Sequence, residues 1–150
     1  MKKKKVAPPY FEITDASDIV RVTVNGIIPQ SANVTTRTQR LESIITVKGC
    51  RLGGQFSAEF LPINFYTFRQ QLVSLIYSLD KSATFEGDVG YLKLHFEAFF
   101  DEGYAEISVN AQDVPGIGSE LTFKLNIELS EIEHLIKQLD VILERYPLIN

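Results

Sequence analysis

Tryptophan is absent from this chain and cysteine occurs once, at Cys50. A lone thiol forms no internal disulfide and no thiolate metal cage, which fits a reducing compartment and excludes the small disulfide-stapled folds. No apolar run approaches the ~20 residues of a bilayer-crossing helix. The opening MKKKKVAPPY places charge ahead of Pro8 and Pro9 with no apolar core behind it, so it does not read as a signal peptide. The expected location is the cytoplasm, without a membrane partner. Basic charge is also scarce. Four of the fifteen Lys and Arg residues are Lys2 to Lys5, and the rest of the chain sets eleven basic groups against nineteen acidic ones, a net of −8. Between Asp80 and Glu133 twelve carboxylates meet only Lys81, Lys93 and Lys124. A field of that sign disfavours nucleic acid, and the lysine run ahead of two prolines reads as a solvated tail.

What is present is alternation. At 150 residues, 45% hydrophobic and 23% charged, the chain is long enough for one self-sufficient core. Residues 1–9 read as a disordered basic tail and residues 10–150 as a single α+β domain. Apolar residues recur every second position in FEI at 11–13, at Val20, Val22 and Val24, at Leu41, Ile45 and Val47, and at Phe56, Ala58 and Phe60. The polar stretch PQSANVTTRTQ reads as a long loop. A four-residue loop, Cys50 to Gly53, keeps both flanking apolar sets on one face. Between Asn64 and Leu79 the period becomes helical: Phe65, Phe68, Leu72, Leu75, Ile76 and Leu79 share one stripe, with Asn64 as the expected N-cap.

Four further strands follow, carried by Ala83 and Phe85, by Leu92 to Ala98, by Ala105 to Val109, and by Leu121 to Ile127. Ser130 and Glu133 suggest a capping box for a last helix with the stripe Ile132, Leu135, Ile136, Leu139, Leu143 and Tyr146. The order is ββββαββββα. Strands with one wet face and tight turns imply an antiparallel sheet of about eight strands, strongly curved if all join, with two one-sided helices covering one face. The two ββββα halves are compatible with a distant duplication.

The segment HFEAFFDEGYAEI, residues 95–107, brings one of two histidines near three carboxylates. A two-residue turn at Glu102-Gly103 pairs Phe100 with Ala105 and Ala98 with Ile107, which leaves His95 and Glu97 facing water and Asp101 and Glu102 at the tip, too far from His95 to share a metal or a proton. One pairing that puts Ala105, Ile107 and Val109 on the face of Leu121, Phe123 and Leu125 sets Ile107 opposite Phe123 and Glu106 opposite Lys124, which leaves Glu97, Asp101 and Glu102 without close basic neighbours on the same hairpin. His134 points away from its helix stripe, near Glu131 and Gln138. Cys50 has no partner base and no nucleophile elbow. The glycines of VPGIGSE precede a strand and lack a following GK[ST], so they make a hairpin loop and not a phosphate cradle. No catalytic residue, metal ligand or cofactor site is expected. On the first helix Tyr66, Val73 and Tyr77 form a second stripe, read first as packing on the last helix and otherwise as a partner or homodimer surface.

The runs GGQFSAEF, LPINFYTFRQQLVSLIYSL, SATFEGDVGYLKLHFEAFFDEGYAEISV and LTFKLNIELSEIEHLIKQLDVILERYP, within residues 40–147, resemble the small bacterial immunity proteins paired with wall-associated contact-dependent toxins. The likeness rests on element order, on the F-x3-L-x2-L spacing of Phe68, Leu72 and Leu75, and on the strand-to-helix ending, where Leu129-Ser130 stands in place of an aspartate-glutamine pair. It implies a non-catalytic protein that occludes a toxin, with Glu97, Asp101, Glu102, Tyr66 and Tyr77 as candidate partner-binding residues. A basic partner would gain association rate from the acidic face. Two other functions compete with it. One is an enzyme or small-ligand carrier with a pocket between sheet and helices, which the almost purely apolar inward positions disfavour. The other is an assembly subunit using the tyrosine stripe or an open sheet edge.

Overall fold

The computed structural model describes residues 6–29 and 39–148; the Lys2 to Lys5 run and most of the PQSANVTTRTQ loop lie outside them. Eight strands and two helices follow the expected order: β1 (Tyr10–Asp15), β2 (Asp18–Ile27), β3 (Leu41–Gly49), β4 (Leu52–Phe60), α1 (Pro62–Tyr77), β5 (Ser82–Glu86), β6 (Leu92–Phe99), β7 (Tyr104–Gln112), β8 (Glu120–Glu128) and α2 (Glu131–Arg145). Every strand pairing is antiparallel. The strands make two meandering sheets, β1-β2-β3-β4 and β5-β6-β7-β8, and not one continuous sheet, because α1 carries the chain away between β4 and β5.

The period-2 pattern fixes which residues turn inward, and those expected in the strands do so: Val20, Val22, Val24, Leu41, Ile45, Ala58 and Phe60 in the first sheet, Ala83, Phe85, Leu92, Leu94, Phe96, Ala105 and Ile107 in the second. Both sheets and both helices feed one apolar core. At its centre six fully buried phenylalanines join the layers: Phe11 and Phe60 from the first sheet, Phe65 and Phe68 from α1, Phe85 and Phe96 from the second sheet. Phe11 meets Phe85 edge-on at 5.3 Å between ring centroids, and Phe60 lies 5.3 Å from the same ring. Such edge and tilted contacts add to the area term and replace the bulk that tryptophan would otherwise supply. Ser43 is the one buried polar residue among the described residues, and its hydroxyl is turned to the Leu41 carbonyl.

Both hairpin registers differ from expectation by two residues. Gly49 pairs with Leu52, so Cys50 and Arg51 alone make the turn, and Cys50, with φ +58, takes the positive-φ position. Phe99 pairs with Tyr104 and Ala98 with Ala105, so residues Phe100 to Gly103 form a four-residue turn with Gly103 at φ +80. On the next ladder Ile107 faces Leu125, and Glu106 faces Asn126 in place of Lys124. A shift of two keeps every side chain on its face, which is why the inward set survives.

Helix ends also moved. α1 starts at Pro62, a favoured first-turn residue, and Asn64 lies inside it, reaching back to accept the Leu61 N–H at 2.7 Å. Its stripe stops short of Leu79, which is 67% exposed beyond the helix end with φ +57. Ser130 has helical backbone angles and makes no side-chain cap, so the capping box with Glu133 does not form. In the α2 stripe Ile142 is buried, while Leu143 and Tyr146 pack only partly against the core. The helices run antiparallel side by side, since Arg69 pairs with Asp140 and Tyr77 with Glu133; α1 lies on β5, and α2 on β1 and β8.

Candidate functional site

The wet face of the second sheet is a regular grid set by its registers. One row holds Glu86, Lys93, Asn110 and Thr122, the next Thr84, His95, Ser108 and Lys124, the third Ser82, Glu97, Glu106 and Asn126. Beyond them come Phe99, Tyr104 and Glu128, then Asp101 and Glu102 at the hairpin tip. Charge is separated along this grid. Lys93 lies 3.9 Å from Glu86, and with His95 and Lys124 it borders a shallow hollow of about 450 Å³. The other end is acidic.

Glu97 faces Glu106 directly across the β6–β7 pair. Glu106 is relieved by Lys124, which reaches it diagonally at 3.2 Å, so the expected ion pair exists although the two residues are not opposite. Among the described residues no ion pair includes Glu97, Asp101 or Glu102, and all three are exposed. Beside them Phe99 and Tyr104 stack with ring centroids 5.0 Å apart and planes inclined by 19°. This aromatic pair on a wet face was not anticipated; Phe99 sits at an outward position in the alternation, which is the signal that identifies it. An aromatic platform ringed by carboxylates suits contact with a cationic, partly apolar protein surface.

His95 Nδ1 lies 3.0 Å from the Thr84 hydroxyl, across the strand pair from it. His134 is exposed beside a groove of about 160 Å³ that also involves Glu12, Glu131 and Gln138, where Glu12 is held by Arg21 and Gln138 accepts the Glu12 N–H. Cys50 is exposed in its turn, its N–H donating to Asp18 Oδ1 at 2.8 Å. Among the described residues no three His, Cys, Asp or Glu side chains converge as a metal site would require.

The tyrosine stripe is only partly covered. Val73 packs against the core, whereas Tyr66 is 39% and Tyr77 70% exposed, with the Tyr77 hydroxyl 3.5 Å from Glu133 of α2. The structure thus leaves both tyrosine rings available along the edge of the helical layer, in contrast to the reading that α2 covers them.

A further feature escaped the sequence reading. Beside the start of β4 lies an open cleft of about 440 Å³, lined by Val47 and Phe56 of the first sheet and Ala111 and Leu121 of the second, with the exposed Asp113 and Glu120 at its rim. Gly53 and Gly54 border it, and Leu52 beside them is 67% exposed. Gly53 reads as the end of the Cys50 to Gly53 loop; in the structure it is a strand residue beside Gly54, and an exposed leucine next to glycines in an edge strand is the signal for such an opening.

No curated protein matches the chain. A solved structure of the plant transcriptional regulator PBF-2 is similar at 11% identity with a TM-score of 0.49, over 93% of this chain and 82% of that one. The model of the immunity protein WapI-like family matches residues 11–147, the whole run from the second residue of β1 to just past the end of α2. The chain belongs to the immunity protein WapI-like family.

Proposed function

We propose that this chain is a non-catalytic immunity protein that neutralises a bacterial toxin by binding it, and that its partner presents a basic surface. Family membership supports the toxin as partner. The observation that carries the surface is the acidic end of the second sheet: Glu97, Asp101 and Glu102 have no ion-pair partner among the described residues, and they adjoin the stacked Phe99 and Tyr104. Unpaired like charges on one hairpin cost a little folding free energy, and a cationic partner turns that cost into faster association. Tyr66 and Tyr77, exposed on the helical layer, are the second candidate surface, for the toxin or for a homodimer.

The test is to look for a toxin domain encoded beside this chain's gene and to coexpress the two. The intact chain should restore growth and copurify with that domain. Copurification without protection, or protection with no complex, contradicts the proposal.

A further inference from the structure

The four outer strand edges of the two sheets are not treated alike. On β1 the Glu12 N–H is taken by Gln138 of α2, and on β5 the Thr84 N–H by Gln71 of α1. On β8 the Asn126 N–H is taken by the Asp15 carboxylate. The fourth edge belongs to β4. Gly49 and Leu52 close a two-residue turn and therefore bond to each other, and hydrogen-bonded pairs alternate along an antiparallel ladder. Gly54, Phe56 and Ala58 accordingly direct their backbone groups to β3, while Gly53, Gln55, Ser57 and Glu59 direct theirs outward. Among the described residues nothing bonds to those outward groups.

Exposed edges are ordinarily blunted by lysine, proline or an inward charge. The β4 segment LGGQFSA carries none of them. Its inner side is open as well, since a Cβ on Gly54 would meet no atom within 4 Å, and the 440 Å³ cleft begins there. A row of outward N–H and C=O groups, wet in the free chain, matches an extended polypeptide backbone, and the alternating side chains of such a strand would fall alternately into water and into the cleft.

We propose that the toxin docks an extended segment along β4, pairing with the outward backbone groups of Gly53, Gln55 and Ser57 and sending an apolar side chain past Gly54 onto Phe56 and Leu121. This rests on the reading of the chain as a toxin-binding protein. The net charge of −8 outside the lysine run repels a second copy, and Asp113 and Glu120 at the rim match basic residues flanking the docked segment. The acidic hairpin speeds the encounter; the β4 edge supplies register.

Two variants of the full chain, measured for affinity to a toxin domain that it neutralises, test this. Gln55→Pro removes an outward N–H and Gly54→Leu fills the cleft, and each should weaken binding at least about tenfold. Thermal melting confirms that each variant folds. If Gln55→Pro does not, amide exchange of the unmodified chain decides: binding should slow exchange at Gly53, Gln55 and Ser57. A complex that leaves those amides exchanging as before, or folded Gln55→Pro and Gly54→Leu variants that bind normally, overturns the proposal. Slow exchange at these amides in the free chain also overturns it, because the edge is then covered by the chain itself or, where protection grows with concentration, by a second copy. Failure to form any complex overturns the toxin-binding reading, and this inference with it.

Discussion

Cys50 and Leu79 hold positive φ values of 58 and 57, a region that disfavours any side chain with a Cβ. Cys50 takes the first central position of a two-residue hairpin turn, and Leu79 lies just past the end of α1, both places where glycine is the ordinary occupant. Cys50→Gly should therefore raise stability by about 0.5–1 kcal/mol in chemical denaturation and leave toxin neutralisation intact. A large loss of neutralisation in that variant would restore a role for the thiol. Gly49 shows the reverse case, since a Cβ there would sit 2.6 Å from the Phe123 ring of the other sheet. Gly49→Ala should cost about 1–3 kcal/mol by forcing that ring aside, read as a lower denaturant midpoint. None of these positions announces itself in the sequence, because backbone sign at a turn depends on a register that alternation leaves undetermined.

The hairpins make that ambiguity visible. Alternation specifies parity, and turns of two and four residues preserve the same parity, so the inward sets of β3, β4, β6 and β7 were legible while both turn lengths were not. In β6–β7 the corrected register sets Glu97 against Glu106 and brings Phe99 onto Tyr104. Helix stripes were legible for a related reason, since Phe65, Phe68, Leu72 and Leu75 repeat at helical spacing; the helix starts were not, because Pro62 and Asn64 both carry start signals. At this scale the prediction concerns charge. The triple variant Glu97→Gln, Asp101→Asn, Glu102→Gln should slow association with the toxin domain by about fivefold to tenfold at low salt and flatten its salt dependence, by stopped-flow measurement. Its melting temperature should hold or rise slightly, since the Glu97–Glu106 repulsion is gone. An unchanged rate across salt concentrations would move the encounter surface to Tyr66 and Tyr77.

The whole molecule repeats itself. In each ββββα half the helix covers the first strand of the other half, and it does so through a glutamine, Gln71 on Thr84 and Gln138 on Glu12, each the third residue of its strand. This correspondence supports the duplication suggested by element order. It could not be seen in the sequence, because a glutamine outside the apolar stripe of a helix reads as a solvated residue until the strand beneath it is known. Either glutamine replaced by leucine leaves a part-buried N–H without its acceptor and should lower stability by about 1–2 kcal/mol. The same arrangement leaves β4 as the edge on which, among the described residues, no such bond falls. The proposed neutralisation by occupancy has a stoichiometric signature. The most direct measurement is a titration of the toxin domain's activity with the folded chain at concentrations well above the dissociation constant. Binding predicts a linear fall that ends at one chain per toxin molecule; complete inactivation by a small fraction of an equivalent, continuing with time, would contradict it and make the chain an enzyme.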